Sequence, residues 1–330
     1  IARAFSRYVY LPEGAATAVS LWVLHTWAVE ASYYTPRILL SSPTVQCGKS
    51  RVMGLLKLMC HNPKSSSSAT AATIYRRLDQ DLYTWLLDEA DGYLPGNETM
   101  RHVIDAGFER DGVADRCTGD RHTPTEFPCF SAMAIAGIGQ LHPSITSRSI
   151  VISMTRKPKA VRLPQLRMDK KKDWEPLRNK CEAWATSAME ALADADPDVP
   201  DTLGDRAKDC WRPLLAIADL AGGPWPERAR QAAVRLHRVS GKASEEDLGT
   251  AVLADIRTIF DKQAIARLSS AEITRCLAEM EDRPWPEYSH GRAITPPQLA
   301  KLLREFDISP QTVRFGNGST PKGYYRDDFE

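Results

Sequence analysis

The sequence predicts an α/β protein: a mostly parallel sheet in its first half, a helical region after it, and a small helix-and-hairpin unit at its end. Three observations lead there. Between residues 37 and 154, short apolar runs of strand length alternate with segments of helical spacing, the pattern of a parallel sheet covered on both faces. Beyond Met154 the strand-like runs stop and helical spacing takes over. The chain closes on a Gly-Asn-Gly turn beside Tyr324 and Tyr325. At 330 residues the chain exceeds a usual single domain, so two or three units with their own cores are expected.

In order, residues 1–36 read as a helical leader. Arg37 to Ser42 is a buried strand, 43–50 a loop, and Arg51 to Met59 a helix. A helix over 70–79 leads to a second buried strand, Leu82 to Leu87, that ends in two acids. Helix 98–108 is followed by Val113 to Cys117, a polar tip and the apolar strand Phe130 to Ala136. A short helix, Pro143 to Arg148, and the strand Ser149 to Met154 complete a sheet core over 37–165. The Ser65 to Ser68 tract reads as a loop.

Arg156 to Lys172 holds eight Lys or Arg, one Asp and two prolines, and reads as an exposed connector. Helices over 174–193, 205–221 and 226–238 then make a helical lid over 166–241. Gly241 to Ala243 is expected as a hinge. Ser244-Glu-Glu-Asp247 is expected to start a helix with Leu248, Val252, Leu253, Ile256, Ile259 and Phe260 on one face. Helices 270–280 and 296–306, a short third helix at 309–313 and the closing hairpin give 242–330 the outline of a winged helix.

Composition narrows the classes. The net charge of +1 excludes a uniformly basic nucleic-acid coat, though not a local patch. The 7 cysteines are widely spread with no CxxC pair, which argues for reduced thiols in a cytoplasmic protein and against a disulfide framework or zinc knuckle. The 7 histidines form no HxxxH pair. The most apolar stretch, Ala15 to Ala31, carries His25 and Glu30 and reads as a buried helix rather than a membrane span. Beginning at Ile1 rather than Met, the chain is compatible with a fragment of something longer.

Cys47-Gly48-Lys49-Ser50 lies between a buried strand and a helix, the context that a Walker A loop requires. Backbone N–H groups at a helix N-terminus bind phosphate oxygens. Thr44, Val45, Gln46, Cys47 and Gly48, with Lys49, Ser50 and Arg51 at the helix start, form the candidate nucleotide site for ATP and Mg²⁺. Lys49 would neutralise phosphate charge and Ser50 would join the Mg²⁺ shell. The loop departs from the common pattern at Pro43 and Gln46, where glycines are usual. About forty residues on, Leu86-Leu87-Asp88-Glu89 is an apolar strand ending in two acids. Asp88 would hold Mg²⁺ and Glu89 would act as general base on water. Asp88-Glu89-Ala90-Asp91 also spells the box of a two-core helicase class, but only one sheet domain fits here, so the match reads as coincidence.

Three arginines are candidates at the phosphates. Arg148 precedes the strand Ser149 to Met154, where AAA+ proteins place the arginine finger that reaches a neighbouring subunit's γ-phosphate; this reading is preferred to a surface arginine or a helix C-cap. Arg206 and Arg212, at the start of a lid helix, are candidate sensor arginines in cis. No sensor Asn or Thr is evident, and Gln140 is the only polar residue near the expected position.

Several strings together resemble a known family. Ser-Pro-Thr-x-x-Cys-Gly-Lys-Ser, Leu-Leu-Asp-Glu-Ala-Asp, Ala-x-Ala-Gly-Ile-Gly, Ser-Arg-Ser-Ile-Val-Ile, Asp-Arg-Ala-x-Asp-x-Trp-Arg-Pro-Leu and Thr-Val-Arg-Phe-Gly-x-Gly-x-Thr-x-Lys-Gly-Tyr look like domain-of-unknown-function family 3631 over nearly the whole chain. The resemblance implies a P-loop, AAA+-like or helicase-like ATPase of phages, plasmids and integrated elements, often behind a primase-like module.

Candidate nucleic-acid contacts fall in two places. Arg116, Arg121 and His122 lie on a hairpin of the kind that enters the pore of ring helicases, or on an ordinary solvated hairpin, since Asp115, Asp120 and Glu126 offset their charge. Gln311, Thr312 and Arg314 on the expected third helix, with Lys322 and Arg326 on the wing, are the candidate DNA contacts of a module that also serves protein contacts. Trp22, Trp27 and Trp211 read as core.

Two functions stand. One is an oligomeric ATPase, a ring of six in expectation, that moves or opens single-stranded DNA for a mobile element. The other is a nucleotide-dependent switch or loader with little hydrolysis, toward which Pro43 and Gln46 lean. A regulator using only a winged helix leaves the acids and the phosphate loop unexplained.

Overall fold

The computed structural model describes residues 1–42, 45–118, 123–139, 141–263, 265–280, 283, 285–288, 292–315 and 320–329. The chain forms two compact units, Ile1–Ser240 and Gly241–Glu330.

The first unit opens with α1 (Ala2–Tyr8) and α2 (Ala15–Trp27). There follow β1 (Arg37–Ser42), α3 (Lys49–Met59), β2 (Pro63–Ser66), α4 (Ala71–Leu78), β3 (Thr84–Leu87) and α5 (Glu98–Ala106). Next come β4 (Val113–Thr118), β5 (Thr123–Pro128), β6 (Met133–Ile138), α6 (Pro143–Ser147) and β7 (Ser149–Ser153). Among the described residues, five strands form a parallel sheet in the order β2-β3-β6-β1-β7, and β4 pairs with β5 as an antiparallel hairpin. The fold is therefore α/β with a mostly parallel central sheet. The central strands β1, β3 and β6 are buried along nearly their whole length, which is why they read as apolar runs.

Helices cover the sheet. α7 (Glu175–Ala193) and α8 (Asp205–Ala221) pack with α2, and the core they share includes Trp22, Leu55, Leu56, Trp211 and Leu215. Trp22 Nε1 donates to the Pro36 carbonyl at 2.7 Å and Trp27 Nε1 to that of Met59 at 2.9 Å, so these aromatics are structural. On the other face α4, α5 and the β4–β5 hairpin close a second core around Ile74, Trp85, Met100 and Ile104. Thr70 and Asn97 cap α4 and α5 through their side chains.

Several expectations are adjusted. Pro63–Ser66 forms the edge strand β2, where a loop was expected; it is half-exposed and polar, so it carries no apolar run. The strand expected at 130–136 spans Met133–Ile138, since the residues before it close the end of the sheet around Arg37. Residues 156–172 are mostly exposed, as expected of a connector, but part of the stretch packs down. Their half-buried side chains Leu166 and Met168 lie on α3, where a Cβ added to Gly54 would stand 3.2 Å from Leu166 Cδ2 and 3.3 Å from Met168 Sδ. Finally, α9 (Trp225–Gln263) is assigned as a 39-residue helix, so no new helix starts at 244–247, while the two compact units divide at Ser240/Gly241, beside the expected hinge.

In the second unit the end of α9 packs with α10 (Ser270–Ala278) and α11 (Pro296–Leu303) around Val252, Ile256, Phe260, Trp285 and Tyr324. β8 (Arg267–Ser269), β9 (Gln311–Thr312) and β10 (Lys322–Tyr325) form an antiparallel sheet in the order β8-β10-β9. Capping boxes at Ser269/Glu272 and Thr295/Gln298 start the two short helices. The third helix expected at 309–313 is absent: Gln311 and Thr312 are extended and pair with Gly323 and Lys322. Buried Asp255 accepts from Trp285 Nε1 and from Arg283, each at 2.7 Å. Among the described residues no helix is long and apolar enough to cross a membrane.

Candidate nucleotide site at the carboxyl ends of the sheet

All five sheet strands point the same way, so the loops after β1, β3 and β6 emerge at one edge. A cleft of about 650 Å³ lies there. The loop after β1 forms its floor. Gln46 (φ 64°) and Gly48 (φ 92°) both adopt the left-handed region, which explains why glycine is usual at the Gln46 position and what Gln46 costs locally. Gly48 is the N-cap of α3 and provides no side-chain cap, which leaves the first-turn N–H groups facing the cleft. Lys49 Nζ donates to Ser42 Oγ at the end of β1.

The acids arrive from β3. Asp88 N–H donates to Ser66 O at 3.0 Å, which ties the end of β3 to the edge strand, and Glu89 N–H donates to Asp88 Oδ1 at 3.0 Å. Glu89 is itself left-handed (φ 54°), so the chain turns sharply after β3 and leaves its carboxylate exposed. Both acids line the cleft opposite Lys49, Ser50 and Arg51. Beside them the buried Tyr93 hydroxyl is pushed above its usual pKa, by burial first and then by the Asp88 charge.

The structure thus brings Val45, Gln46, Cys47, Gly48, Lys49, Ser50, Arg51, Asp88 and Glu89 to one cleft. Thr44, Arg121, His122 and Gln140 lie outside the described residues. Among those described, no three His, Cys, Asp or Glu side chains converge on a metal position. Mg²⁺ bound through phosphates, water and one or two protein oxygens needs no such cage, so Ser50 and Asp88 fit it.

The three arginines do not reach the cleft. Arg148 is the C-cap of α6 at the opposite end of the sheet, where it donates to Ser144 O at 3.1 Å and lies 4.0 Å from Asp105. Its Nε is buried, and within the subunit Arg148 serves as a C-cap. Arg206 pairs with Glu109 at 3.5 Å and Asp209 at 3.8 Å, over the Phe108 ring. Arg212 pairs with Asp196. Neither lid arginine lines the cleft.

Other candidates are placed as follows. Arg116 is half-buried on β4, its guanidinium 5.4 Å from the Tyr75 ring centre. In the second unit Arg314 and Lys322 are exposed, whereas Gln311 contacts Asp328 at 3.4 Å and Arg326 pairs with Asp261 at 2.7 Å.

Residues outside the sequence motifs complete the cleft. Asp91 Oδ1 accepts from Ile138 N–H at 2.9 Å, which clasps the turn after β3 to the end of β6. A Cβ on Gly137 would stand 3.2 Å from that oxygen, so glycine lets the clasp close. Val9 and Tyr10 of the leader and Lys157 and Leu163 of the segment 155–170, a strap that follows β7, also line the cleft. The acid string marks Asp91 in the sequence; no local signal marks the others.

The family described as Protein of unknown function (DUF3631) matches residues 153–330. The "Uncharacterized 28.9 kDa protein in xis 5'region" of Saccharopolyspora erythraea is 42% identical over 153 residues, 46% of this chain and 56% of that protein, so the chain spans little more than half of that relative's length. Two solved structures align at low scores. "The apo structure of NrS-1 C terminal region (305-718)" has a TM-score of 0.33 and 12% identity over 94% of this chain and 71% of that one. "The A form apo structure of NrS-1 C terminal region-CTR" has a TM-score of 0.31 and 11% identity over 96% and 76%. At these scores neither likeness supports a conclusion. The family match covers more than half of the sequence, and the chain belongs to that family.

Proposed function

We propose that this member of the DUF3631 family is a Mg²⁺-dependent, P-loop ATPase of AAA+-like architecture, acting on DNA as a translocase or helicase in the replication of a mobile element. One observation carries the reading. Lys49 and Ser50 from the end of β1 and Asp88 and Glu89 from the end of β3 share a single cleft, although β6 lies between the two strands. The cleft sits outside the carboxyl ends of a parallel sheet, where such sheets bind ligands.

The chemistry follows from those side chains. First-turn N–H groups of α3 and the Lys49 ammonium hold phosphate oxygens. The Ser50 hydroxyl and Asp88 carboxylate would hold Mg²⁺, which would supply neutralisation of phosphate charge. Glu89, exposed on its left-handed turn, orients a water and takes its proton.

DNA contact belongs to the second unit in this reading. Its strand and helix order has the outline of a winged helix, with α11 as the helix ahead of the wing and Arg314 and Lys322 exposed on the hairpin side. The place of the Saccharopolyspora protein in the xis 5′ region accords with a mobile element. Subunits of an oligomer would share sites, and Arg148 would reach a neighbour only by leaving Ser144 O and Asp105.

A second reading, a nucleotide-dependent DNA-binding switch or loader with slow hydrolysis, is favoured by Pro43 and Gln46 in the phosphate loop and by the absence of the two candidate cis arginines, Arg206 and Arg212, from the cleft. ATP turnover with and without single-stranded DNA, beside a native mass measurement with nucleotide, separates the two. Turnover that rises with DNA in an oligomer supports the first. Tight binding without turnover supports the second, and no binding removes both.

A further inference from the structure

We infer that the cleft grips the base of a nucleoside triphosphate by its faces, between Val9 and Tyr10 of the leader and Leu163 of the strap, and that it therefore discriminates weakly among bases. This rests on the ATPase reading and adds the direction in which the ligand lies.

The two flanks of the phosphate loop differ. On the β6 flank stand Asp88, Glu89 and Asp91. A terminal phosphate belongs there, within reach of a water activated by Glu89. The rest of the ligand must then extend across Gly48 toward the β7 flank. Gly48 borders that flank directly: a Cβ added to it would stand 3.4 Å from Val9 Cγ1 and 3.5 Å from Met154 Cε. Val9 is buried, and Tyr10 presents a ring that is 39% exposed beside the cleft.

The strap supplies a second apolar residue to the same cleft, Leu163. Lys157 Nζ donates to Val161 O at 2.8 Å, and Val161 N–H donates to Pro158 O at 3.0 Å, closing a turn that brings Leu163 into the cleft. Beyond it Leu166 and Met168 seat on Gly54. A mid-helix glycine costs about 1 kcal/mol relative to alanine, and here it lets the strap lie against α3. Arg156 Nε donates to Val45 O at 3.3 Å, tying the strap to the phosphate loop itself. The strap is thus fixed at both ends of the stretch that carries Leu163.

Every base has a π-face, and stacking on aromatic or apolar side chains is tolerant of base identity. Selectivity needs fixed donor–acceptor pairs at base edges. On this flank Val9 and Leu163 offer none, the Lys157 ammonium and the Arg51 guanidinium donate to Val161 O and Tyr8 O, and the Tyr10 hydroxyl, donor and acceptor alike, sets no fixed pattern.

The test measures affinities of the full chain for ATP, GTP and inorganic tripolyphosphate, each with Mg²⁺, in wild type, Leu163→Ser and Tyr10→Ala. Both residues are partly exposed and outside regular structure, so folding is retained. The expected result is ATP and GTP within about threefold of each other and each at least about tenfold tighter than tripolyphosphate. Each variant should shrink the ATP-to-tripolyphosphate ratio by about tenfold, the equivalent of one lost apolar contact face. Equal binding of ATP and tripolyphosphate, an unchanged ratio in both variants, or a preference of about 100-fold for one base would overturn the base placement and leave the triphosphate site standing. Failure of all three ligands to bind would overturn the ATPase reading itself.

Discussion

At the carboxyl ends of β1 and β3, Lys49, Asp88, Glu89 and Asp91 line an open cleft. At the amino ends of β1 and β7, charged groups are folded inward. Arg37 is fully buried and donates to Thr35 O, Ser131 O and Ile104 O at 3.1, 2.7 and 2.6 Å. Burial pulls its pKa down to about 9, with Asp105 pushing the other way. Arg148 and Asp105 lie beside it, and His25 is buried against Thr35 at 2.9 Å. Both edges are rich in ionisable side chains, so charge alone does not mark a site. At one end desolvated charge fixes the starts of the strands; at the other, solvated charge stays available to a ligand.

Substitutions at the two edges should therefore fail in different ways. Glu89→Gln should lower ATP turnover by ~10²–10⁴-fold while binding persists, because the amide keeps shape and loses the base; unchanged turnover assigns the water to another group. Arg37→Met, at the other edge, should lower unfolding free energy by about 3–5 kcal/mol by leaving buried carbonyls unpaired. Thermal melts read this directly, and a melt equal to wild type would break the contrast.

Asp91 offers a finer cut within the cleft. Asp91→Ala removes the acceptor for Ile138 N–H and should reduce turnover by about tenfold, the equivalent of one hydrogen bond to a charged group. Asp91→Asn keeps an acceptor oxygen and should restore most of that loss. Equal damage by both variants would mean that the charge, not the clasp, matters.

A pH dependence belongs to the buried edge as well. Burial, then the Arg37 charge, depresses the His25 pKa to about 3. The unfolded state binds the extra proton below about pH 6.5, so stability is full above that value and falls as pH drops toward the folded pKa. The slope should approach about 1.4 kcal/mol per pH unit. Urea titrations from pH 7 to 4 should show it, and His25→Gln should flatten it.

What the sequence makes legible follows the same division. β1, β3 and β7 are readable because apolar runs of strand length mark buried strands, and the spacing of the phosphate loop and acids anticipates their meeting in one cleft. β2 is an edge strand of Pro-Lys-Ser-Ser and carries no such signal. The strap buries side chains at irregular spacing through contacts with α3, so its basic residues dominate the reading. β9 is two exposed residues whose only support is β10. The Asp91 clasp spans 47 residues, and the arginine pairings to Glu109 and Asp105 are likewise long-range; no local pattern encodes them.

The central claim is that the open edge is a nucleotide site. Calorimetric titration of the full chain with ATP and Mg²⁺, wild type against Lys49→Ala, tests it most directly. Removing the ammonium that faces the loop should weaken binding by at least about 100-fold, as for a lost charge-assisted phosphate contact, with the melting temperature nearly unchanged. Equal affinity in the two proteins, or no binding by wild type, would contradict it.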